Sequence, residues 1–312
     1  MIRLALIGAG AHSQSNHAPA MAQYAADHPD RLELAAVCDL DPAKARTCAE
    51  KFGFQAVYTD YRDLLAQEQL NGCVCVMPVP LIAGLAVDLL RRGMPASIEK
   101  PLGGGMAEID QLRQAAEETG TPHMVSVNRR FEPLIQQGLA WAREQGRLRW
   151  ARASILRHQR LQPDFMAETA IHCIDTLRHL AGPVAEVRCQ TQSGQATWFH
   201  LDFAFAEGAI GSLDVLPTAG SVEERYELFG DGFRVDARIG PSPDPRLRCW
   251  RDGELLVDQR PPADQPDFIR LGPYAETAEF VTALAEGRPP WPAVAEIYPS
   301  AEIGFRFDPV RE

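Results

Sequence analysis

The chain opens with Met1-Ile-Arg-Leu-Ala-Leu-Ile-Gly8-Ala-Gly10-Ala-His12-Ser13, in which a short apolar run leads directly into a glycine-rich loop. The run predicts a buried strand, and the loop predicts a dinucleotide-binding turn followed by a helix. The first glycine permits the tight turn, the second lets the backbone approach a pyrophosphate, and Ser13 stands where a third glycine is common. We therefore expect Gly8, Gly10, Ala11, His12 and Ser13 to contact a cofactor, the alternative being a plain strand-to-helix turn.

Strands and helices alternate through the first 125 residues, which predicts βαβ units and a doubly wound parallel sheet. Apolar, β-rich runs mark strands at residues 3–7, 33–38, 72–77 and 96–98. Helical spacing marks residues 42–52, 81–92 and 106–119, with Gly53, Gly93 and Gly120 just past the helix ends, where glycine commonly terminates a helix. We assign residues 1–125 to a Rossmann-type dinucleotide-binding domain.

The pattern changes after Asn128 and predicts an α+β domain with a mostly antiparallel open sheet. Helical spacing returns near residues 132–144 and 165–180, and a series of strands follows. Residues 197–205 alternate apolar and polar side chains, and Glu207-Gly208 supplies a turn into residues 210–216, which predicts an antiparallel hairpin. Two helical stretches, 274–286 and 294–304, end the chain. We assign residues 126–312 to a substrate-binding and oligomerisation domain whose last helix can pack back on the first domain.

Composition excludes several classes of protein. The 312 residues carry 31 Lys and Arg against 42 Asp and Glu, a net charge of −11, which disfavours nucleic acid and anionic membranes as partners. The chain shows no run of about 18 apolar residues and no signal-peptide pattern at its start, so we expect a cytoplasmic protein. Its seven scattered cysteines predict reduced, mostly buried thiols instead of a disulfide or metal framework.

Cofactor choice is suggested by Asp39, which ends the second predicted strand. A carboxylate at this point can accept both hydroxyls of the adenosine ribose, and no arginine follows it directly to hold a 2′-phosphate. We therefore expect NAD, with NADP less favoured, although Lys44 is near enough in sequence to reach a phosphate. Pro78, which follows the strand at 72–77, joins the residues expected to contact the cofactor.

The most specific motif is Glu99-Lys100-Pro101, which follows another apolar strand. Lysine occurs only at positions 44, 51 and 100, whereas arginine supplies the rest of the positive charge, and only lysine can release a proton near neutral pH. The motif resembles the signature of the Gfo/Idh/MocA family (glucose–fructose oxidoreductase, inositol dehydrogenase and rhizopine catabolism). Residues 127–131 (Val-Asn-Arg-Arg-Phe) and 168–175 (Glu-Thr-Ala-Ile-His-Cys-Ile-Asp) are similar to two further segments of that family.

The resemblance implies roles for individual residues. His172 is expected to act as the general base, Glu168 to orient it, and Lys100 to bind the reacting oxygen and carry its proton. Asp175 is expected to contact a substrate hydroxyl, with Arg129 and Asn128 as weaker candidates for lining the substrate site. Glu99 is expected to face the nicotinamide ribose, with a cis bond before Pro101. The departures from the family pattern are Glu168 for aspartate, Ala170 for glycine, and Val79 and Ile82 for asparagine and histidine.

Residues 168, 172 and 175 are spaced i, i+4 and i+7, so a single α-helix would place them on one face, with His179 one turn further. A solvated polar stripe is the alternative interpretation of this spacing. A metal site built from Glu168, His172 and His179 is also conceivable, but no second helix offers ligands, so we expect no metal.

These observations predict an NAD-dependent oxidoreductase that moves a hydride between the nicotinamide and a carbon of a sugar, polyol or related small molecule. One alternative is a relative that uses NAD without net redox change to cleave a glycoside. Another, from a different class, is a catalytically silent NAD-binding sensor or partner-binding protein. The family resemblance also implies a homodimer or homotetramer formed through the antiparallel sheet.

Overall fold

The computed structural model describes residues 1–308, which form two compact units. One unit comprises Met1–Asn128 and Asp267–Pro299, and the other comprises Arg129–Pro266 and the described residues from Ser300 onward. The sequence suggested a single boundary after residue 125, whereas the chain returns to the first unit at Asp267 and leaves it again within its last helix. Within residues 1–308, no helix is both long enough and apolar enough to cross a membrane.

Six of the seven helical stretches predicted with bounds correspond closely to α-helices of the structure. In chain order the helices are α1 (Ala18–Asp27), α2 (Pro42–Phe52), α3 (Tyr61–Gln67), α4 (Val79–Arg91), α5 (Met106–Thr119), α6 (Pro133–Gln145), α7 (Ile171–Ala181), α8 (Asp267–Arg270), α9 (Pro273–Glu286) and α10 (Val294–Arg306). The six that match predicted stretches are α2, α4, α5, α6, α9 and α10. Gly53 and Gly120 end α2 and α5 in the left-handed conformation, as predicted. The Asp41 side chain caps the start of α2 by accepting from the Ala43 N–H.

A six-stranded parallel sheet forms the centre of the first unit. Its strands are β1 (Ile2–Ile7), β2 (Leu32–Cys38), β3 (Ala56–Tyr58), β4 (Gly72–Cys75), β5 (Ala96–Glu99) and β6 (His123–Ser126). Their order is β3-β2-β1-β4-β5-β6, so the order reverses between β1 and β4. This confirms the doubly wound sheet. In such sheets, ligands bind beside the carboxyl ends of the strands where the order reverses.

An eight-stranded sheet forms the second unit. Its strands are β7 (Leu148–Leu156), β8 (Val184–Gln192), β9 (Trp198–Phe205), β10 (Ile210–Leu216), β11 (Glu223–Gly230), β12 (Phe233–Ile239), β13 (Arg246–Arg251) and β14 (Glu254–Gln259). The order is β14-β13-β12-β11-β7-β10-β9-β8. All neighbours are antiparallel except β7 and β10, which are parallel, so the mostly antiparallel sheet and the β9–β10 hairpin are confirmed.

One face of this sheet is buried against helices of the same unit. Inward-facing residues such as Ile155, Leu213 and Tyr226 are fully buried, and they belong to a core that α6 and α7 cover.

All seven cysteines are free thiols and six are buried, which agrees with the reduced thiols predicted from composition. Burial raises the pKa of these thiols, to about 12 at Cys249, so they are poor nucleophiles.

The helical stretch predicted near residues 165–180 is present, but it is not α-helical throughout. Residues Met166–Ala170 form a π-helical turn, and regular α-helix begins only at Ile171. A second π-helical turn, Ser13–His17, precedes α1. The wider i→i+5 turn changes which side chains lie together, so α-helical spacing does not describe either segment.

Gly8 allows a close approach between the first loop and the end of β4. Its φ is +98°, and an added Cβ would lie 2.0 Å from the carbonyl oxygen of Val76. Gly84, in contrast, lies on the exposed side of α4 and an added Cβ would meet no atom within 4 Å.

We expect Gly8→Ala to lower the free energy of unfolding by at least ~2 kcal/mol, because a side chain in the left-handed region is strained and the backbone clash adds to that strain. Gly84→Ala is the matched control and should raise it by about 0.5–1 kcal/mol, because alanine loses less entropy in a helix. Thermal unfolding followed by circular dichroism measures both. A Gly8→Ala protein that melts at or above the wild-type temperature would contradict the observed approach of the loop to β4.

Candidate active site

The glycine-rich loop has the architecture of a dinucleotide site. The backbone leaves β1 at Ile7, turns at Gly8 and enters the π-helical turn at Ser13. Ser13 is fully buried, and its hydroxyl donates to the Gly8 carbonyl over 2.6 Å. The small serine thus keeps the helix close to the strand, as a third glycine would.

Gly10 provides the space that a pyrophosphate needs. An added Cβ at Gly10 would meet no atom within 4 Å, so the backbone faces open space here. The first N–H groups of a helix have no partners within the helix, and with the helix dipole they attract anions. The loop therefore fits the phosphates of a dinucleotide.

Asp39 lies beside this loop, just after the end of β2. Its carboxylate accepts hydrogen bonds from the Ala9 N–H over 2.7 Å and from the Asp41 N–H over 2.9 Å. These two backbone donors hold the carboxylate in one orientation and leave lone pairs for ribose hydroxyls. Lys44, the nearby cation considered for a phosphate, has its Nζ 3.8 Å from the Asp41 carboxylate.

Glu99 and Lys100 stand at the same edge of the sheet, at the end of β5. The Glu99 side chain is buried, and its Oε2 lies 2.9 Å from the Nε2 of His17. Lys100 is half-buried, and the peptide bond between Lys100 and Pro101 is cis. Pro78 is exposed at the start of α4.

His17 is a residue that the sequence analysis did not single out. It lies five residues after His12, a spacing that puts the two on different sides of an α-helix. The π-helical turn instead brings the two rings to 5.6 Å between centroids. Together with Glu99 these histidines form, within residues 1–308, the group of His, Cys, Asp and Glu side chains compact enough to hold a metal ion.

In the second unit, His172 is a buried residue in the first turn of α7, and Glu168 is half-buried in the preceding π-helical turn. Protonation of His172 favours the ionised form of Glu224, so the two charges interact. His179, further along α7, has its pKa lowered to about 4 by burial, with Arg130 adding to the effect. A histidine with this pKa is neutral at physiological pH.

Asp175 is engaged by other protein groups. Its carboxylate accepts two hydrogen bonds from Arg130, over 2.7 and 2.8 Å, and one from the Ser300 hydroxyl over 2.9 Å. Asp175 is only 1% exposed. The bidentate pair therefore ties α7 to the segment before α6 and leaves little carboxylate surface for a ligand.

Arg129 belongs to a second buried network centred on Glu224. Its guanidinium donates to both Glu224 oxygens over 2.9 and 3.1 Å, and Arg157 donates to one of them over 2.9 Å. The Tyr226 hydroxyl donates to Glu224 over 3.0 Å. Burial raises the pKa of Glu224, but the two arginines outweigh this effect and hold that pKa well below its usual range.

Asn128, the last residue of the first segment, donates from its amide to the Leu271 carbonyl over 2.8 Å. This hydrogen bond fixes the chain just before α9. The residues predicted at the substrate site are thus held by protein partners: Asn128 by backbone, and Arg129 and Asp175 by ion pairs.

Comparison with known proteins agrees with the dinucleotide-site architecture of the first unit. Residues 2–128 match the Gfo/Idh/MocA family model, described as an oxidoreductase family with an NAD-binding Rossmann fold. D-apiose dehydrogenase of Paraburkholderia graminis is 28% identical over 281 residues, which cover 83% of this chain and 72% of the relative. Residues 2–128 are therefore similar to the NAD-binding domain of the Gfo/Idh/MocA family.

Solved structures share the fold of this chain along nearly its whole length. A dehydrogenase from Chromobacterium violaceum superposes with a TM-score of 0.86 at 21% identity, covering 97% of this chain and 93% of that one. Levoglucosan dehydrogenase in complex with NADH gives a TM-score of 0.84 at 20% identity, covering 97% and 95%. The resemblance predicted from the Glu99-Lys100-Pro101 motif is confirmed over residues 2–128, and the description of the matching family model agrees with the predicted NAD cofactor and oxidoreductase class.

We expect Gly10→Ala to weaken NAD binding at least tenfold, because its Cβ would occupy the space that the pyrophosphate approaches. The same variant should melt within about 2 °C of the wild type, because the Cβ meets no protein atom. Isothermal titration calorimetry with NAD and a thermal melt separate the two effects. Unchanged NAD affinity would show that the pyrophosphate lies elsewhere.

Proposed function

We propose that this protein is a member of the Gfo/Idh/MocA family and transfers a hydride between the nicotinamide of NAD and a hydroxyl-bearing carbon of a sugar, polyol or related small metabolite. The observation that carries the proposal lies in the first unit, where the glycine loop, Asp39 and the Glu99-Lys100 pair stand at the carboxyl ends of β1, β2 and β5 in one parallel sheet. The names of the relatives, apiose and levoglucosan dehydrogenases, indicate the substrate class.

The proposed proton transfer uses three residues. When a hydride leaves the carbon for the nicotinamide, the hydroxyl on that carbon must lose its proton to a base. We assign this proton to His172 and Lys100, the lysine also holding the reacting oxygen, because an imidazole and an amine can each accept and release a proton, whereas an arginine guanidinium stays protonated. Glu168 orients His172 in this proposal, because it lies in the π-helical turn that directly precedes α7.

The remaining candidate residues are proposed to position the site. Asp175 and Arg129 are each held in a buried ion pair, so we assign them to fixing α7 and the neighbouring sheet instead of to direct contact with a substrate hydroxyl. Asn128 fixes the chain before α9. In the first unit, Gly8, Ala11, His12, Ser13 and Pro78 are proposed to contact the cofactor, and Glu99 is proposed to face the nicotinamide ribose.

We propose that NAD is preferred over NADP. Two backbone N–H groups hold the Asp39 carboxylate beside the glycine loop. In this proposal the carboxylate accepts the hydroxyls of the adenosine ribose, and its charge repels a 2′-phosphate. Leu40, the next residue, has an exposed apolar side chain that offers the phosphate no donor.

We further propose that the protein works in the cytoplasm as a homodimer or homotetramer assembled through the outer face of the eight-stranded sheet. Trp150 on β7 and Ile210 on β10 lie on that face and remain 41% and 46% exposed. A shallow depression beside them is lined by Arg152, His200, Ser212, Asp214 and Phe229. An aromatic side chain surrounded by polar groups is typical of protein interfaces.

Lys100→Arg tests the proton role directly. Arginine keeps the positive charge but does not release a proton at working pH, so kcat should fall by about 10²–10⁴ while NAD affinity changes little. His172→Ala should behave in the same way. The formation of NADH, followed by its absorbance with a panel of sugars and polyols, measures kcat.

Lys51→Arg is the matched control for this test, since Lys51 is exposed on α2, and it should keep wild-type activity. A loss below about threefold in Lys100→Arg would assign Lys100 to holding charge alone. Bound NAD with no turnover on any member of the panel would favour the catalytically silent alternative.

Trp150→Glu should reduce the assembly to monomers, because a charge placed in an interface loses its water without gaining a partner. Leu81→Glu, at an exposed position of α4, should leave the assembly unchanged. Sedimentation velocity at micromolar concentration distinguishes the two states. A wild-type protein that sediments as a monomer would exclude the proposed assembly.

A further inference from the structure

The Glu99 carboxylate is faced by a different histidine at each oxygen. His17 Nε2 lies 2.9 Å from Oε2, and His12 Nε2 lies 3.5 Å from Oε1. Glu99 and His17 are buried, whereas the His12 side chain is 56% exposed. Burial raises the pKa of Glu99, but the hydrogen bonds from His12 and His17 outweigh it and hold that pKa well below its usual range. Glu99 is therefore an ionised acceptor.

Either a metal-binding role or direct hydrogen bonds can account for the closeness of His12, His17 and Glu99. The contacts of Asn16 distinguish these two interpretations. The Asn16 amide nitrogen lies 3.2 Å from the His12 carbonyl oxygen and 3.2 Å from His12 Nδ1. Because a carbonyl only accepts, this amide group is the donor, and His12 Nδ1 accepts its second hydrogen. The neutral His12 ring then carries its own hydrogen on Nε2, directed at Glu99.

A metal ligand needs the opposite arrangement, a free lone pair on Nε2. His17 supports the same interpretation, since its Nε2 is at ordinary hydrogen-bond distance from a carboxylate that can only accept. In this cluster, therefore, the N–H groups of His12 and His17 both donate to the Glu99 carboxylate.

We propose that His17 is a positioning residue for the cofactor, which fixes the Glu99 carboxylate to accept a hydroxyl of the ribose next to the nicotinamide. His17 holds Oε2 from the buried side, and His12 covers Oε1 from the solvent side. A carboxylate held in this way loses less side-chain entropy when the ribose binds. This inference rests on the proposed role of Glu99 at the nicotinamide ribose.

Binding of three ligands to the His17 variants shows which part of the cofactor His17 affects. NAD and ADP-ribose both carry the ribose beyond the pyrophosphate, whereas ADP lacks it. We expect His17→Ala to raise the Kd for NAD and for ADP-ribose about tenfold and to change the Kd for ADP less than twofold, as measured by calorimetry. His17→Gln should restore most of the affinity, because its amide nitrogen can donate to the same oxygen.

Glu99→Gln should show the same selective loss, and adding His17→Ala to it should weaken NAD binding little further, since the two residues act through one contact. His123→Ala is the matched control. His123 is a half-buried histidine of the same unit, with its ring nitrogens bonded to the backbone at Thr121 and Val294. This control should lower the melting temperature and leave the NAD affinity unchanged.

Equal weakening of ADP and NAD in His17→Ala would overturn the proposal, because His17 would then support the loop and not the ribose. Tight, stoichiometric binding of ZnCl₂ that disappears in His12→Ala and Glu99→Gln would overturn it in favour of a metal site. If the wild-type protein binds ADP and NAD with equal affinity, and Glu99→Gln changes neither, the assigned role of Glu99 fails, independently of the hydrogen bond from His17.

Discussion

The parallel pairing of β1 with β2 on one side and with β4 on the other is the constraint on which the cofactor site depends. Because the strand order reverses at this point, the loop after β1 is not covered by a helix crossing to the next strand. Gly8 lets the loop approach Val76 at the end of β4, and the Ala9 N–H binds Asp39 at the end of β2. The geometry of the glycine loop and the position of Asp39 therefore depend on the same arrangement of strands.

Buried charge is compensated locally in both units. Glu224 lies between Arg129 and Arg157, Asp175 is paired with Arg130, and Glu99 accepts from His17. Removing any of these ions from water is costly, and breaking a buried pair typically costs about 3–5 kcal/mol because the remaining charge has no partner. Such pairs hold each charged side chain in a single position, close in the chain to the residues proposed to take part in catalysis or cofactor binding.

The two π-helical turns stand at the start of the helices that carry candidate residues, α1 and α7. Each turn changes the angular relation between side chains that α-helical spacing would predict. At Ser13–His17 the result is visible, since the turn brings His12 and His17 together over Glu99. At Met166–Ala170 it separates Glu168 from the regular helix that holds His172 and Asp175.

The sequence alone was sufficient for the fold class, most element bounds, the glycine loop and the Glu99-Lys100-Pro101 motif, because these depend on residues close together in the chain. The partners of the charged residues were not predictable in this way. Arg129 binds Glu224 across 95 positions, Arg130 binds Asp175 across 45, and His17 binds Glu99 across 82. Periodicity reports only local spacing, whereas these pairs arise from strands and helices that folding brings together. The tertiary structure therefore decided which candidate side chains are engaged by protein partners, and it revealed His17.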